Sequence, residues 1–237
     1  MRAKKYLIVN ADDFGQSPGV NRGIIRAHES GIVTSASLMI RGPAAVEAAA
    51  YAQEHLELSV GLHLDFGEWA YRNGEWTPLY EVLKEDNANA VAKEVERQVE
   101  AFRRLMGKNP THIDSHQHAH RQEPVRSIVL EVGRRLTVPV RDFAREVRYC
   151  GGFYGQTSTG APYPEGISIE RLIKILEELP PGCTELGCHP ADGVDLDTMY
   201  GVEREQELQV LCDPRVREAT KVMSIELCSF ASGLRRI

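Results

Sequence analysis

The sequence predicts an α/β fold with about seven parallel strands and outer helices. Short apolar, β-branched runs alternate with amphipathic helical stretches along the whole chain. The composition never shifts enough to mark a linker, so residues 1–237 read as a single domain. Histidines, aspartates and an arginine recur where the apolar runs end, and in a parallel sheet those ends share one face.

Each element has a local cause. Lys5–Asn10 is a short β-branched run that suits a buried strand. Ser17 and Pro18 read as the cap and first residue of a helix that Gly31 stops. Val33–Met39 is the second strand, and an alanine-rich helix runs from Gly42 and Pro43 to about His55. Ser59–Leu64 is the third strand, and the glycine- and aromatic-rich stretch Phe66–Pro78 reads as a loop. Val91, Val95, Val99 and Phe102 recur at helical spacing, which predicts a helix over Asn89–Met106. Thr111–Asp114 is the fourth strand, Glu123–Leu136 a helix and Val138–Arg141 the fifth strand. Glu146–Gly166 is crowded with glycine and proline and reads as an irregular binding loop. A helix over Ile169–Leu179, a strand over Thr184–His189, a helix over Glu203–Leu211 and a strand over Lys221–Leu227 complete the pattern. Periodicity leaves an open doubly wound sheet and a closed barrel equally possible.

Composition narrows the function. The chain has 42% hydrophobic and 26% charged residues over 237 positions, which excludes disorder and a membrane-spanning protein. The net charge of −6 lacks the field that draws nucleic acid or an anionic membrane. Cys150, Cys183, Cys188, Cys212 and Cys228 have neither zinc-knuckle nor redox-pair spacing, so thiols in a reducing compartment are expected. The first apolar run, Tyr6–Val9, is too short for a secretion leader, so a cytoplasmic location is expected.

The reactive residues gather at strand ends. Asp12 and Asp13 follow the first strand, and Ser17 already supplies the helix cap, so the pair is not needed for capping. Adjacent carboxylates repel unless a cation lies beside them. His63 ends the third strand, where a buried structural histidine is the plain alternative. Half of the eight histidines fall between His112 and His120, at His112, His116, His118 and His120. Alternate spacing would put them on one face of a strand, and helical spacing would align His112, His116 and His120. Pro110 and Pro124 bracket the segment, so a strand end running into a loop is expected. Imidazoles cluster this densely for metal binding or proton transfer. Arg141 ends the fifth strand, and His189, held extended by Pro190, ends the sixth. Phe66, Trp69, Tyr71, Trp76 and Tyr80 are either core or a platform for a sugar.

Together these residues resemble the YdjC-like carbohydrate deacetylase family, which includes chitooligosaccharide deacetylases. The matching segments are NADDFG at Asn10–Gly15, GIVTS at Gly31–Ser35, GLHL at Gly61–Leu64, PTHIDSHQH at Pro110–His118 and CHP at Cys188–Pro190. They span almost the whole chain in family order, and the chain departs from the pattern after His63 and across Arg145–Gly166. The resemblance implies a barrel-like (β/α) fold and one divalent ion held by Asp13, His63 and His116, with magnesium the usual ion. It also implies a homodimer and a small N-acetylated sugar as substrate. Two imidazoles suit zinc better than magnesium, so zinc is the alternative.

The chemistry follows from the residue types. An ion with open positions would lower the pKa of water and polarise an acetyl carbonyl. Asp12 is the candidate base, and His189 the candidate acid for the departing amine. Arg141 is expected to orient Asp12 or to hold the substrate. No nucleophile-elbow serine is present, so a covalent route is disfavoured. Two rival readings follow from the same residues. One is a metal-dependent phosphoesterase, which a second ion near His118 and His120 would favour. The other is a non-catalytic carbohydrate-binding protein.

Overall fold

Strand β1 (Lys5–Phe14) is the axis of the fold, and nearly all of it is buried. The computed structural model describes residues 4–72, 74–193, 195, 196 and 198–233. After β1 come α1 (Pro18–Glu29), β2 (Ser35–Leu38), α2 (Ala45–Glu54) and β3 (Ser59–Leu64). A hairpin of β4 (Gly67–Arg72) and β5 (Glu75–Glu81) precedes α3 (Ala88–Met106), β6 (Ile113–Ser115) and α4 (Val125–Leu136). Then follow β7 (Val147–Cys150), α5 (Ile169–Glu178), β8 (Gly182–Cys188), α6 (Val202–Leu211), α7 (Pro214–Val222), β9 (Ile225–Leu227) and α8 (Phe230–Gly233).

Among the described residues the main sheet has seven strands, in the order β6-β3-β2-β1-β8-β7, with β9 also paired to β1. All its pairings are parallel. One edge of β1 is taken by β8, and the other is shared by β9 at Lys5–Leu7 and β2 beyond Asn10. The path does not close. It curls into a half-barrel, which settles the choice between open sheet and full barrel that periodicity left open.

Side chains alternate along each strand and sort the interior from the outer layer. Leu7, Val9 and Ala11 pack with the helices in the main core, together with Val95, Val99, Phe102, Val129 and Leu176. Ile8 faces the other way and forms a small floor with Val147, Cys183, Cys228 and Phe230. Above that floor the concave side turns polar: Asn10 and Asp12 from β1, Ser37 from β2, His63 from β3, Asp114 from β6 and Glu185 from β8 are all buried. The helices stand on ordinary signals. Ser17 Oγ accepts the Val20 N–H at 3.1 Å to cap α1, and Asn87 Oδ1 accepts the Ala90 N–H at 3.1 Å to cap α3.

Two interior glycines make room for rings. A Cβ on Gly61 would stand 2.4 Å from the His112 ring, and one on Gly187 would stand 2.7 Å from the Tyr149 hydroxyl. His112 fills its space fully. It stacks on Phe230 with centroids 3.8 Å apart, and its ring nitrogens lie 3.0 Å from Ser37 Oγ and 3.0 Å from Thr111 Oγ1.

Several expectations need correction. Phe66–Pro78 is not a loop. Its chain forms the antiparallel β4–β5 hairpin, with Tyr71 opposite Trp76 and Trp69 opposite Pro78, and a register irregularity between Glu68 and Trp69. Because β5 is mostly exposed, it carries no hydrophobic period to read. Val138–Arg141 makes only a single parallel bridge, Val140 to Ile113, because Asp142 then turns the chain with φ 67°. Glu146–Gly166 opens with β7, a strand of the main sheet. Lys221 and Val222 close α7, which Asp213 caps, so the last strand begins only at Ile225. β1 continues past Asn10 through both aspartates to Phe14. After β6 the chain makes a tight 3-10 turn, His116–Arg121, in which Gln117 and His118 are left-handed. No helix is long and apolar enough to cross a membrane among the described residues.

Gly61→Ala is expected to lower stability by about 1–3 kcal/mol, because the His112 ring must leave a packed slot. Urea unfolding of the variant beside the unaltered protein reads this directly.

Candidate active site

The strand ends open into a cavity of about 830 Å³, which Asp12, Asp13, His63, His116 and His189 all line. Strict alternation would send Asp12 inward and Asp13 out toward the helices. An irregularity in the β1–β2 register between Ala11 and Phe14 breaks that rule, and Asp13 takes φ 68°. Both carboxylates therefore reach the cavity, as bulges beside functional sites commonly arrange.

Asp13 is the focus of one cluster. His116 Nδ1 donates to Asp13 Oδ1 at 3.0 Å, and His63 Nε2 lies 3.2 Å from the same oxygen. Arg204 Nη2 donates to Asp13 Oδ2 at 2.6 Å. Behind His63, its Nδ1 donates to Asp114 Oδ1 at 2.8 Å, which fixes the ring. Burial alone would raise the Asp13 carboxyl, but Arg204 and His116 hold it well below the usual carboxylate range. Burial opposes protonation of the two histidines, yet Asp114 and Asp13 push His63 up to about 10, and Asp13 pushes His116 up to about 9.

This donor set fits a metal ion. One ligand atom from each of Asp13, His63 and His116 lies within 4.8 Å of the others. Two imidazole protons converge on a single carboxylate oxygen, and one divalent ion can replace both with the charge conserved. His116 Nε2 is buried without a hydrogen-bond partner and lies 3.8 Å from Glu68 Oε2.

Asp12 stands beside this cluster in a clamp. Arg141 donates from Nη1 to Asp12 Oδ2 at 2.6 Å and from Nη2 to Oδ1 at 2.7 Å, and Asn10 Nδ2 donates to Oδ1 at 2.9 Å. Burial raises the Asp12 carboxyl, but Arg141 outweighs it and holds the group below its ordinary value. Arg141 also reaches Asp114 Oδ2 at 2.7 Å and Glu185 Oε1 at 2.6 Å. Its side chain is 0% exposed and lies over the Tyr149 ring, 4.7 Å from the centroid. Of the two roles expected for Arg141, this geometry fits orienting Asp12 and leaves no surface for a substrate.

His189 is 21% exposed and lies across the cavity rim, with Nε2 3.8 Å from Asp12 Oδ2 and Nδ1 3.8 Å from Glu207 Oε1. Its backbone N–H donates to Glu207 Oε2, and the Tyr200 hydroxyl donates to Glu207 Oε1. Tyr154 and Tyr200 stack on each other at 4.6 Å and present edges or faces to the imidazole at 5.6 Å.

The remaining predicted residues divide. His112 is structural, and burial pushes it down to about 4. His118 and His120 lie apart from the Asp13 cluster, near Asp142. Burial, with Arg141 and Arg121, pushes His118 down to about 3. Phe66 belongs to the core, whereas Trp69 and Trp76 line the cavity and Trp76 is 50% exposed. Arg204, Glu207, Glu185 and Glu68 were missed. Arg204 and Glu207 lie in a charged helical stretch that reads as a solvated face, and only their i,i+3 spacing hints that they point inward together.

Residues 6–222 match the family described as YdjC-like protein. A carbohydrate deacetylase of Geobacillus stearothermophilus is 35% identical over 95% of this chain and 97% of its own length. A chitooligosaccharide deacetylase of Serratia marcescens is 30% identical over 96% and 98%. A solved structure from Enterococcus faecalis, provisionally described as a cellobiose-phosphate cleavage protein, has a TM-score of 0.77 at 25% identity and covers 97% of this chain and 98% of its own. A family 4 carbohydrate esterase from Streptomyces lividans, solved with acetate, has a TM-score of 0.56 at 13% identity, with 98% and 96% covered. That last likeness is one of fold.

The raised histidines make a signed prediction. An unfolded imidazole titrates near about 6.5. In metal-stripped protein, the stability from His63 and His116 is full below that pH and is lost as pH rises through about 9 and about 10. The urea midpoint is expected to fall steadily from pH 7 to pH 10 without metal. Saturating metal should flatten that fall, because the ion takes the place of the protons.

Proposed function

The chain belongs to the YdjC-like family, and from that membership and the cavity geometry we propose that it is a metal-dependent carbohydrate deacetylase. It removes N-acetyl groups from amino sugars or short N-acetylated oligosaccharides. The observation that carries this reading is the pairing of two groups at one cavity mouth: the arginine-clamped Asp12, and the one-carboxylate, two-imidazole set of Asp13, His63 and His116. The names of the relatives from Geobacillus stearothermophilus and Serratia marcescens support the reaction class. Pairing of Lys5–Leu7 in β1 with Ile225–Leu227 in β9 supports the reading of residues 1–237 as one catalytic domain.

When bound at Asp13, His63 and His116, a divalent ion supplies Lewis acidity that polarises an acetyl carbonyl and makes water easier to deprotonate. Asp12 is ionised at neutral pH and a weak base, so it suits a proton whose own pKa has been lowered. Arg141 and Asn10 hold its carboxylate in one orientation, with Oδ2 turned toward His189. Asp12 accepts a proton from the attacking water as the new C–O bond forms at the acetyl carbon. His189 donates a proton from Nε2 to the nitrogen as the C–N bond breaks, which leaves a free amine and acetic acid, which ionises to acetate in solvent. Glu207 holds His189 in place by accepting its backbone N–H. Trp69 and Trp76 offer apolar ring faces to the sugar and narrow the cavity against bulk water.

The resemblance favours magnesium at this centre, and the two imidazoles favour zinc. Arg204 on Asp13 removes part of the negative charge that a hard ion would need, which adds weight to zinc. A two-ion phosphoesterase holds its ions about 3.5–4 Å apart. The candidate cluster at His118, His120 and Asp142 shares no residue with Asp13, His63 and His116.

The test is acetate release from diacetylchitobiose by metal-stripped protein. Release is expected only after magnesium or zinc is restored, and the ion that restores it is the working one. Asp12→Asn should keep metal binding and lose about 10²–10⁴-fold in turnover. A carbohydrate-binding protein without catalysis would show sugar binding, no acetate and indifference to Asp12→Asn.

A further inference from the structure

Beside the cavity, a second group of metal-ligating side chains remains outside the machinery described above. His118, His120 and Asp142 each offer one donor atom, and these atoms lie within 4.8 Å of one another. His120 is 0% exposed, and its Nε2 has no hydrogen-bond partner. That nitrogen lies 3.6 Å from Asp142 Oδ2, too far for a hydrogen bond and close enough for both atoms to share an ion. The buried Nδ1 of His118 also has no hydrogen-bond partner. Leaving two buried ring nitrogens without hydrogen bonds costs free energy unless something else engages them.

The ring of His120 is already aimed. Its Nδ1 lies 2.7 Å from Ser115 Oγ, which also accepts the His120 backbone N–H at 2.9 Å. This fixes the ring and leaves Nε2 toward Asp142, as second-shell groups do for metal-binding histidines. His118 and His120 meet edge to face with centroids 5.8 Å apart, so neither ring covers the other's nitrogen. A cation already stands near: Arg121 Nε donates to Asp142 Oδ2 at 2.7 Å. Its side chain is 41% exposed, so it can swing into solvent and release that oxygen.

We propose that His118, His120 and Asp142 form a second, separate site for a borderline divalent cation such as Zn2+, Co2+ or Ni2+. Two imidazoles and one carboxylate make a poor site for Mg2+ and a good one for these ions. The absence of a shared ligand makes it a mononuclear site, distinct from the Asp13 cluster. His118, Arg121 and Asp142 line the same cavity as Asp13, so an ion there would add a fixed charge to the cavity wall. The inference stands whether or not the chain is a deacetylase.

The experiment is equilibrium dialysis of the metal-stripped full chain against Zn2+, with metal and protein both quantified and no activity read. Two ions per chain are expected in the unaltered protein. His118→Ala and Asp142→Asn, both at the cavity wall, should each bind one, with unchanged far-UV circular dichroism. Arg121→Ala should tighten the second step by roughly two- to fivefold, the size of a partly exposed ion pair. One ion per chain in the unaltered protein would overturn the proposal. So would a second ion that survives both His118→Ala and Asp142→Asn, or one that Arg121→Ala fails to tighten.

Discussion

A single buried guanidinium holds the interior of the half-barrel together. Arg141 contacts Asp12 on β1, Asp114 on β6 and Glu185 on β8, so three strands converge on one cation. One positive charge cannot balance three buried carboxylates, and unpaired buried charge is expensive. The surroundings respond in two ways. Burial pushes Glu185 up to about 7, so this carboxyl is partly protonated near neutrality. His63 holds a proton against Asp114 and adds a second positive charge. Asp12 and Asp114 stay ionised because Arg141 and these neighbours allow it, and an ionised Asp12 is what the proposed chemistry requires.

The same charge balance explains why the Asp13 cluster lies one step above. Two imidazoles and Arg204 crowd around the Asp13 carboxylate, while Asp114 behind His63 and Glu68, 3.8 Å from His116 Nε2, share the balance. Binding a divalent ion and releasing two protons leaves that balance unchanged. A divalent ion that displaces both protons would therefore enter at little electrostatic cost. Asp114 connects the two layers, since it bonds His63 on one oxygen and Arg141 and Ser37 on the other.

Much of this was legible in the sequence because a parallel sheet has a simple rule: strand ends share a face. Asp12, Asp13, His63 and His189 do meet at one cavity, as their positions after apolar runs imply. Arg141 followed the rule despite lying on a single bridge rather than a strand, because one hydrogen-bonded register with Ile113 is enough to aim it. Three features were not legible. The β-bulge that turns Asp13 inward depends on tertiary register, and no local residue announces it. Arg204 and Glu207 are masked by their helix, whose charged neighbours read as solvated. The hairpin was hidden because its outer strand is mostly exposed, so its pairing, not its pattern, defines it.

The segment from His112 to His120 shows most clearly why sequence spacing alone could not assign roles. Strand alternation would place its histidines on one face, and helical spacing would align another set, but the chain does neither. It is strand through Ser115 and then turns left-handed at Gln117 and His118. That turn divides the histidines by depth: His112 packs into the interior, His116 reaches Asp13, and His118 and His120 swing toward Asp142. It also frees Gln117 to act as a piece of strand. The Gln117 side chain accepts the Trp69 N–H at 2.9 Å and donates to the Trp69 carbonyl at 2.8 Å. The aromatic hairpin is thus fastened to the residue next to a metal-ligand candidate. Thr198 donating to Glu68 at 2.9 Å fastens it from the other side. Left-handed backbone at a non-glycine residue carries a cost. Here it lets one short loop carry both the metal-ligand candidate His116 and, through two Gln117 hydrogen bonds, the Trp69 wall of the cavity.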